Sequence, residues 1–189
     1  NAIQHFITVN DKRLANRFLS LFSKLIRYHL KYYEQDTVAL SEELNMLEWY
    51  LQLQELRYED QFEYAFEVEN RSLTDQIRIP SLILSALMEN AIEKTMLRVA
   101  GKGCVQVRVR LPKDRVEFEV FYCTDGDPAV IGERLADYRH DLPNLDAHIE
   151  FLNDVKHYNI RFQSKFMETG FVKAEKGICI ALSLPALSL

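Results

Sequence analysis

The chain has 189 residues, with 28 acidic and 23 basic side chains and a formal charge of −5. With 48% hydrophobic and 27% charged residues it is globular in composition, which excludes a disordered or collagen-like chain. The negative balance argues against binding to nucleic acid or to an anionic membrane, since both need a basic face.

Residues 1–60 read as helix. Asn10 or Asp11 can cap a helix start by accepting from a free backbone N–H. Leu14, Phe18, Leu21, Phe22, Leu25 and Tyr32 then recur at helical spacing and predict one apolar face. Tyr32 to Asp36 ends that helix. Ser41 opens the next, with Glu42 and Glu43 at the positive end of its dipole and Leu44, Leu47 and Leu51 along its face. Two long helices joined by a short connection predict an antiparallel hairpin. The aromatic excess here (Phe6, Phe18, Phe22, Tyr28, Tyr32, Trp49, Tyr50) predicts that a second surface is also covered, by a partner chain or by the rest of the molecule.

From about residue 61 the pattern changes. Phe62, Tyr64, Phe66 and Val68 alternate with Glu63, Ala65, Glu67 and Glu69 as a half-buried strand. Pro80 suits the first turn of a helix that runs to about Met96. Val105 to Leu111 and Val116 to Val120 alternate around the turn Pro112-Lys113-Asp114 and predict a hairpin. Residues 124–144 carry turn residues and only a weak short helix. A helix over 145–158, a strand around Phe162 and Phe166, and a last strand from Ile178 to Leu184 complete the order. The class is α+β: a helical hairpin, then helices on one face of a mixed, mostly antiparallel sheet whose other face is partly solvated.

Apolar runs such as residues 79–88 are about half the roughly 20 residues that a membrane helix needs, so no direct membrane contact is expected. No signal peptide pattern opens the chain. It starts without Met inside what reads as a helix, and the expectation is a piece cut from a longer protein. Cys104, Cys123 and Cys179 are odd in number and show no zinc spacing. The expectation is three reduced cysteines in a core, pointing weakly to a reducing compartment.

The helix after Pro80 carries Glu89, Asn90, Glu93 and Lys94 away from the face of Leu84, Leu87 and Ala91. An Asn amide oxygen is a hard ligand suited to magnesium. A neighbouring carboxylate can orient a water or accept a proton, and a lysine one turn on can meet a phosphate. An ordinary solvated helix face explains the same four residues.

A family resemblance adds to this. The segments Asn1 to Ile7, Asn10-Asp11, Phe22 to Arg27, Leu40 to Leu44 and Tyr50 to Tyr58 resemble the LytS-type sensor histidine kinases. Ile79-Pro80 followed by Met88-Glu89-Asn90-Ala91-Ile92 looks like that family's N-box, and the likeness runs to Leu182-Ser183-Leu184-Pro185. It implies a helical dimerisation and phosphotransfer segment over 1–60, half of a dimeric four-helix bundle. It implies an ATP-binding domain of the Bergerat (GHKL) type over 61–189. The family's phosphoacceptor histidine, in an Asn-Pro-His-Phe motif, would lie upstream of Asn1, so His5 is not that residue and the chain holds none. By the same likeness Asn90 would hold magnesium, Glu89 would be the candidate base, Lys94 would meet phosphate, and Asp125 and Gly126 would contact the nucleotide. ATP and magnesium would be the cofactors of an active member. A second copy of the chain and a response regulator, a LytTR-type one among the candidates, would be the partners. The parent would be anchored in the membrane with this part in the cytoplasm.

The departures are specific. After Ile92 the family runs Lys-His-Gly, where this chain has Glu93-Lys94-Thr95. The family's Asp-Asn-Gly-x-Gly loop corresponds to Thr124-Asp125-Gly126-Asp127-Pro128. Aligned on Gly126, the adenine-reading Asp becomes Thr124 and the second glycine Pro128; shifted by one, Asp125 is the Asp but the glycine is misplaced. The later glycine-rich box falls near Asn144 to His148 and has no glycine, and Asp146 would repel a phosphate there. Two readings follow: an ATP-dependent histidine kinase transmitter, and a pseudokinase-like dimerising relay that binds ATP weakly or not at all.

Overall fold

The structure is a computed structural model that describes residues 12–58, 61–97, 103–124, 143–172 and 177–188. Helix α1 (Lys12–Tyr32) buries Phe18, Leu21, Leu25, Tyr28 and Tyr32, a three-four repeat that forms a seam against the next helix. His29 and Lys31 lie in its last turn, where cations suit the negative end of the dipole. Strand β1 (Thr37–Ala39) follows, and helix α2 (Leu40–Tyr58) turns back along α1. The antiparallel sense shows in the cross-helix contacts. Lys31 meets Glu42 at 3.9 Å, and Lys24 lies 5.4 Å from the centroid of the Trp49 ring.

Phe22 does not belong to the buried seam. It is half-exposed, as are Leu19 and Ile26, while Leu30 and Tyr33 are more exposed still. These five repeat every three or four residues as well, so α1 carries two apolar stripes about one residue apart. The spacing of Phe22 is compatible with either stripe, which is why periodicity alone groups it with Leu21.

Strand β2 (Phe62–Val68) is followed by a 3-10 turn at Arg71–Leu73 and strand β3 (Ile77–Pro80). Pro80 therefore closes a strand instead of opening a helix. It pairs with Thr37 at the end of β3, beyond the part that pairs with the last strand, where a missing N–H costs no central ladder bond. Helix α3 (Ile83–Leu97) begins three residues later. Strands β4 (Gly103–Arg110) and β5 (Arg115–Thr124) form the expected hairpin. Helix α4 (Pro143–Lys156), β6 (Arg161–Met167), β7 (Gly177–Pro185) and β8 (Leu187–Ser188) follow.

The main sheet has the order β2-β4-β5-β7-β6, and among these described strands only β2 and β4 run parallel. A small antiparallel sheet, β1-β3-β8, joins the helical hairpin's connection to the last strand. Helix α3 packs on β4 and β5 and beside α4, and α2 lies against β2 and α3. The main core between helices and sheet includes Leu84, Leu87, Val107, Phe118, Val120, Ile149 and Ile180.

The sheet's other face is only partly solvated, as expected. Arg108 pairs with Glu67 there, and Arg110 with Glu119. Beside them, however, Cys104, Phe121 and Cys179 form a second small core with Met167 and Phe171. The buried Gln106 fastens this cover, its Oε1 accepting from the amide of Val172 at 2.8 Å. Cys104 is disulfide-bonded, against the expectation of a reduced thiol, and its cross-strand register partner is Cys123. Cys179 is free and buried, and burial pushes its thiol up to about 11.

Candidate nucleotide site

Helix α3 carries the polar residues singled out above. Its apolar side is fixed by Ile83, Leu84, Leu87, Met88 and Ile92, all buried, which pin the helix on the sheet. Glu89 is exposed, as the spacing predicts. Its charge acts on the phenol of Tyr50 on α2, which burial, and then Glu89, push upward. Asn90 and Lys94 lie on α3 one turn apart. Asp125, Gly126 and Pro128 fall outside the described residues, but the ends of their segment do not. Thr124 ends β5 and Pro143 starts α4, and both of these elements pack on α3.

Asp146 lies in the first turn of α4 and is half-buried. A carboxylate there already complements the positive helix end, and it opposes a second anion at the same place. Among the described residues, no group of three His, Cys, Asp or Glu could hold a metal ion by itself. An amide oxygen and a neighbouring carboxylate, the donor types on α3, are hard oxygen donors of the kind that suits a magnesium ion.

Sequence reasoning misses Glu43. Its place at a helix start marks it as a surface acid, but no part of it reaches solvent. The overlooked signal is its spacing. Leu40, Glu43, Leu44 and Leu47 share one face of α2, so the acid stands in an apolar row. Burial pushes its carboxyl above the ordinary range, against the hydrogen bonds from Tyr28 and from the amides of Leu84 and Leu82 that hold it down.

A helical hairpin thus leads into an α+β layer whose helix α3 carries Asn90. Known proteins share parts of this arrangement. Residues 1–62 match the family model described as histidine kinase. The sensor protein kinase HptS of Staphylococcus aureus is 30% identical over 124 residues, 66% of this chain and 22% of that protein. The aligned part is thus about a fifth of that relative's length. The catalytic domain of histidine kinase ThkA, in a nucleotide-free form, superposes with a TM-score of 0.54 at 12% identity. That match covers 81% of this chain and 97% of the ThkA domain. A bacterial phosphotransferase superposes with a TM-score of 0.50 at 11% identity, over 95% of this chain and 86% of its own. At such identities the structures speak for the fold alone. The chain is related to the histidine kinases: its first third matches their family model, and its fold is that of their catalytic domains.

Proposed function

We propose that the chain is the transmitter part of a LytS-type sensor histidine kinase. Two copies would pair through their helical hairpins, and the α+β layer would bind ATP and magnesium. The phosphoryl group would pass to a histidine and then to the aspartate of a response regulator. The observation that carries this reading is the second apolar stripe of α1, Leu19, Phe22, Ile26, Leu30 and Tyr33, left exposed in a chain whose α3 bears the N-box residues. A four-helix bundle of two hairpins covers such a stripe. Asn90 would hold magnesium, Lys94 would meet phosphate, Glu89 would accept a proton, and Asp125 and Gly126 would meet the adenine end. The parent protein would be membrane-anchored with this part in the cytoplasm. Among the described residues no helix is long and apolar enough to cross a membrane.

A second reading, a dimerising relay with weak nucleotide binding, is favoured by Asp146 at the start of α4, where the family presents bare backbone to phosphate. One experiment separates the two. A chain extended upstream through the phosphoacceptor is mixed with labelled ATP and magnesium. Label on that histidine, lost in Asn90→Ala, supports the kinase. A dimer that takes no label supports the relay.

A further inference from the structure

Glu43 is a buried acid that the reading above leaves without a task. Its Oε1 accepts from the amide of Leu84, 3.2 Å away, and its Oε2 accepts from the hydroxyl of Tyr28 on α1. Leu84 is the second residue of α3, so its N–H is one of the donors that a helix start leaves free. The carboxyl caps α3, but it comes from α2 and not from the residue before the helix. One side chain thus touches both helices of the hairpin and the start of the helix that bears Asn90.

The turn into α3 is held from the same side. Ser81 donates its N–H to the carbonyl of Asp36 at 3.2 Å and its Oγ–H to the carbonyl of Gln35. Leu82 has a φ of 60°, a left-handed conformation that a branched side chain keeps only where its surroundings enforce it. Burying an acid is costly, and a leucine of similar size would fill the row on α2 without that cost. Packing alone does not explain an acid here, whereas a cap on α3 does.

We propose that Glu43 is the positioning residue through which the helical hairpin sets the place of α3 and, with it, of Asn90. Asn90 lies six residues beyond Leu84, about 9 Å along the same helix. A movement of α1 that draws Tyr28 away from Glu43 changes the cap, and α3 passes the change on. The last step, to nucleotide, rests on the function proposed above; the latch between α1 and α3 does not.

The test is amide hydrogen exchange at Leu84, referred to Val107 and Val120 in the sheet, with a parallel titration of a non-hydrolysable ATP analogue and magnesium. In Glu43→Leu, Leu84 should exchange about tenfold faster relative to the sheet amides, the ratio set by one hydrogen bond worth about 1.4 kcal/mol. Glu43→Gln, whose amide oxygen still accepts, should restore most of the protection. Tyr28→Phe, a change on α1, should speed exchange at Leu84 and weaken the analogue while the sheet amides hold. Unchanged exchange at Leu84 in Tyr28→Phe overturns the proposal, and that variant decides should Glu43→Leu fail to fold. Faster exchange with an unchanged affinity overturns the link to Asn90. A wild-type chain that binds no analogue sinks the proposed kinase, and the exchange result still judges the latch.

Discussion

Leu21 and Phe22 are neighbours on α1 and serve different surfaces: Leu21 is 5% exposed, Phe22 48%. One residue of rotation, about 100°, separates the hairpin's own seam from the stripe left open. Substitutions on the two stripes should therefore fail in different ways. Leu21→Ala should cost about 3 kcal/mol of stability, as buried leucines do. Phe22→Asp combined with Ile26→Asp should leave the melting temperature nearly unchanged and lower the sedimenting mass to that of one chain. Phe18 and Leu25 are buried against α2, so aspartate there should unfold the hairpin and not merely part a dimer. A wild-type chain that stays monomeric at high concentration would remove the case for the bundle.

In the relay reading nucleotide binds poorly. Losing a buried polar reader costs about 1–3 kcal/mol, and each 1.4 kcal/mol is about tenfold in affinity. With Asp146 opposing the phosphates, ATP and magnesium should bind at least about a hundredfold more weakly than in a member with intact boxes. A ligand at about a hundred times its dissociation constant stabilises by about 2.7 kcal/mol, so little or no melting shift is expected at millimolar ATP. Asp146→Gly should strengthen binding, and Asn90→Ala should abolish whatever remains. A large magnesium-dependent shift in the unaltered chain would contradict this.

The raised carboxyl of Glu43 carries a pH signature. Its folded value lies above the ordinary 4.5, so between the two values the folded chain binds more proton than the unfolded one. Stability contributed by this group is greatest at low pH and falls as pH rises through that window. The groups facing it are Tyr28 and His29 on α1 and the amides of Leu82 and Leu84 at the start of α3, with Glu42 beside it on its own helix. The difference in urea unfolding between the wild-type chain and Glu43→Gln should therefore shift toward the variant as pH rises above 4.5. A pH-independent difference would show that the acid keeps its ordinary value.

Gly177 opens β7 where it pairs with Cys123 on β5. A Cβ there would stand 2.3 Å from the carbonyl oxygen of Tyr122 and 2.7 Å from the Phe121 ring. Gly177→Ala has to push strand from strand and should cost about 1–3 kcal/mol. Thermal unfolding reads the loss directly, and an unchanged melting temperature would show that β5 and β7 yield freely there.

The long periodic elements are legible in the sequence because each buries one face. Helices α1, α2 and α4 follow their three-four spacing, and Phe62, Tyr64 and Phe66 in β2 alternate as the strand requires. The short strands are not legible. Thr37–Ala39 is too short to show a period, and its pairing with β3 is a contact between segments distant in the chain. Pro80 fits a helix start and a strand end equally well by local rules, and only the partner Thr37 decides. In the candidate site, the spacing of Glu89, Asn90 and Lys94 on one helix can be read directly. For Glu43 the apolar row betrays burial but not its task, which lies in Tyr28 and Leu84, distant in the chain. The state of Cys104 depends likewise on a register that alternation alone does not fix.

The three-residue strand β1 also bears on where this molecule can be cut. Its pairing with β3, together with the bond from Lys156 Nζ to Asp36 Oδ2 at 2.8 Å, ties the bend of the hairpin to the sheet layer. A recombinant piece starting at residue 61 would leave β3 with an open edge and strip the cover from β2, a setting that invites aggregation. Chimaeras that exchange α1 between relatives should therefore join within residues 33–36, so that β1 and α2 travel with the sheet they complete.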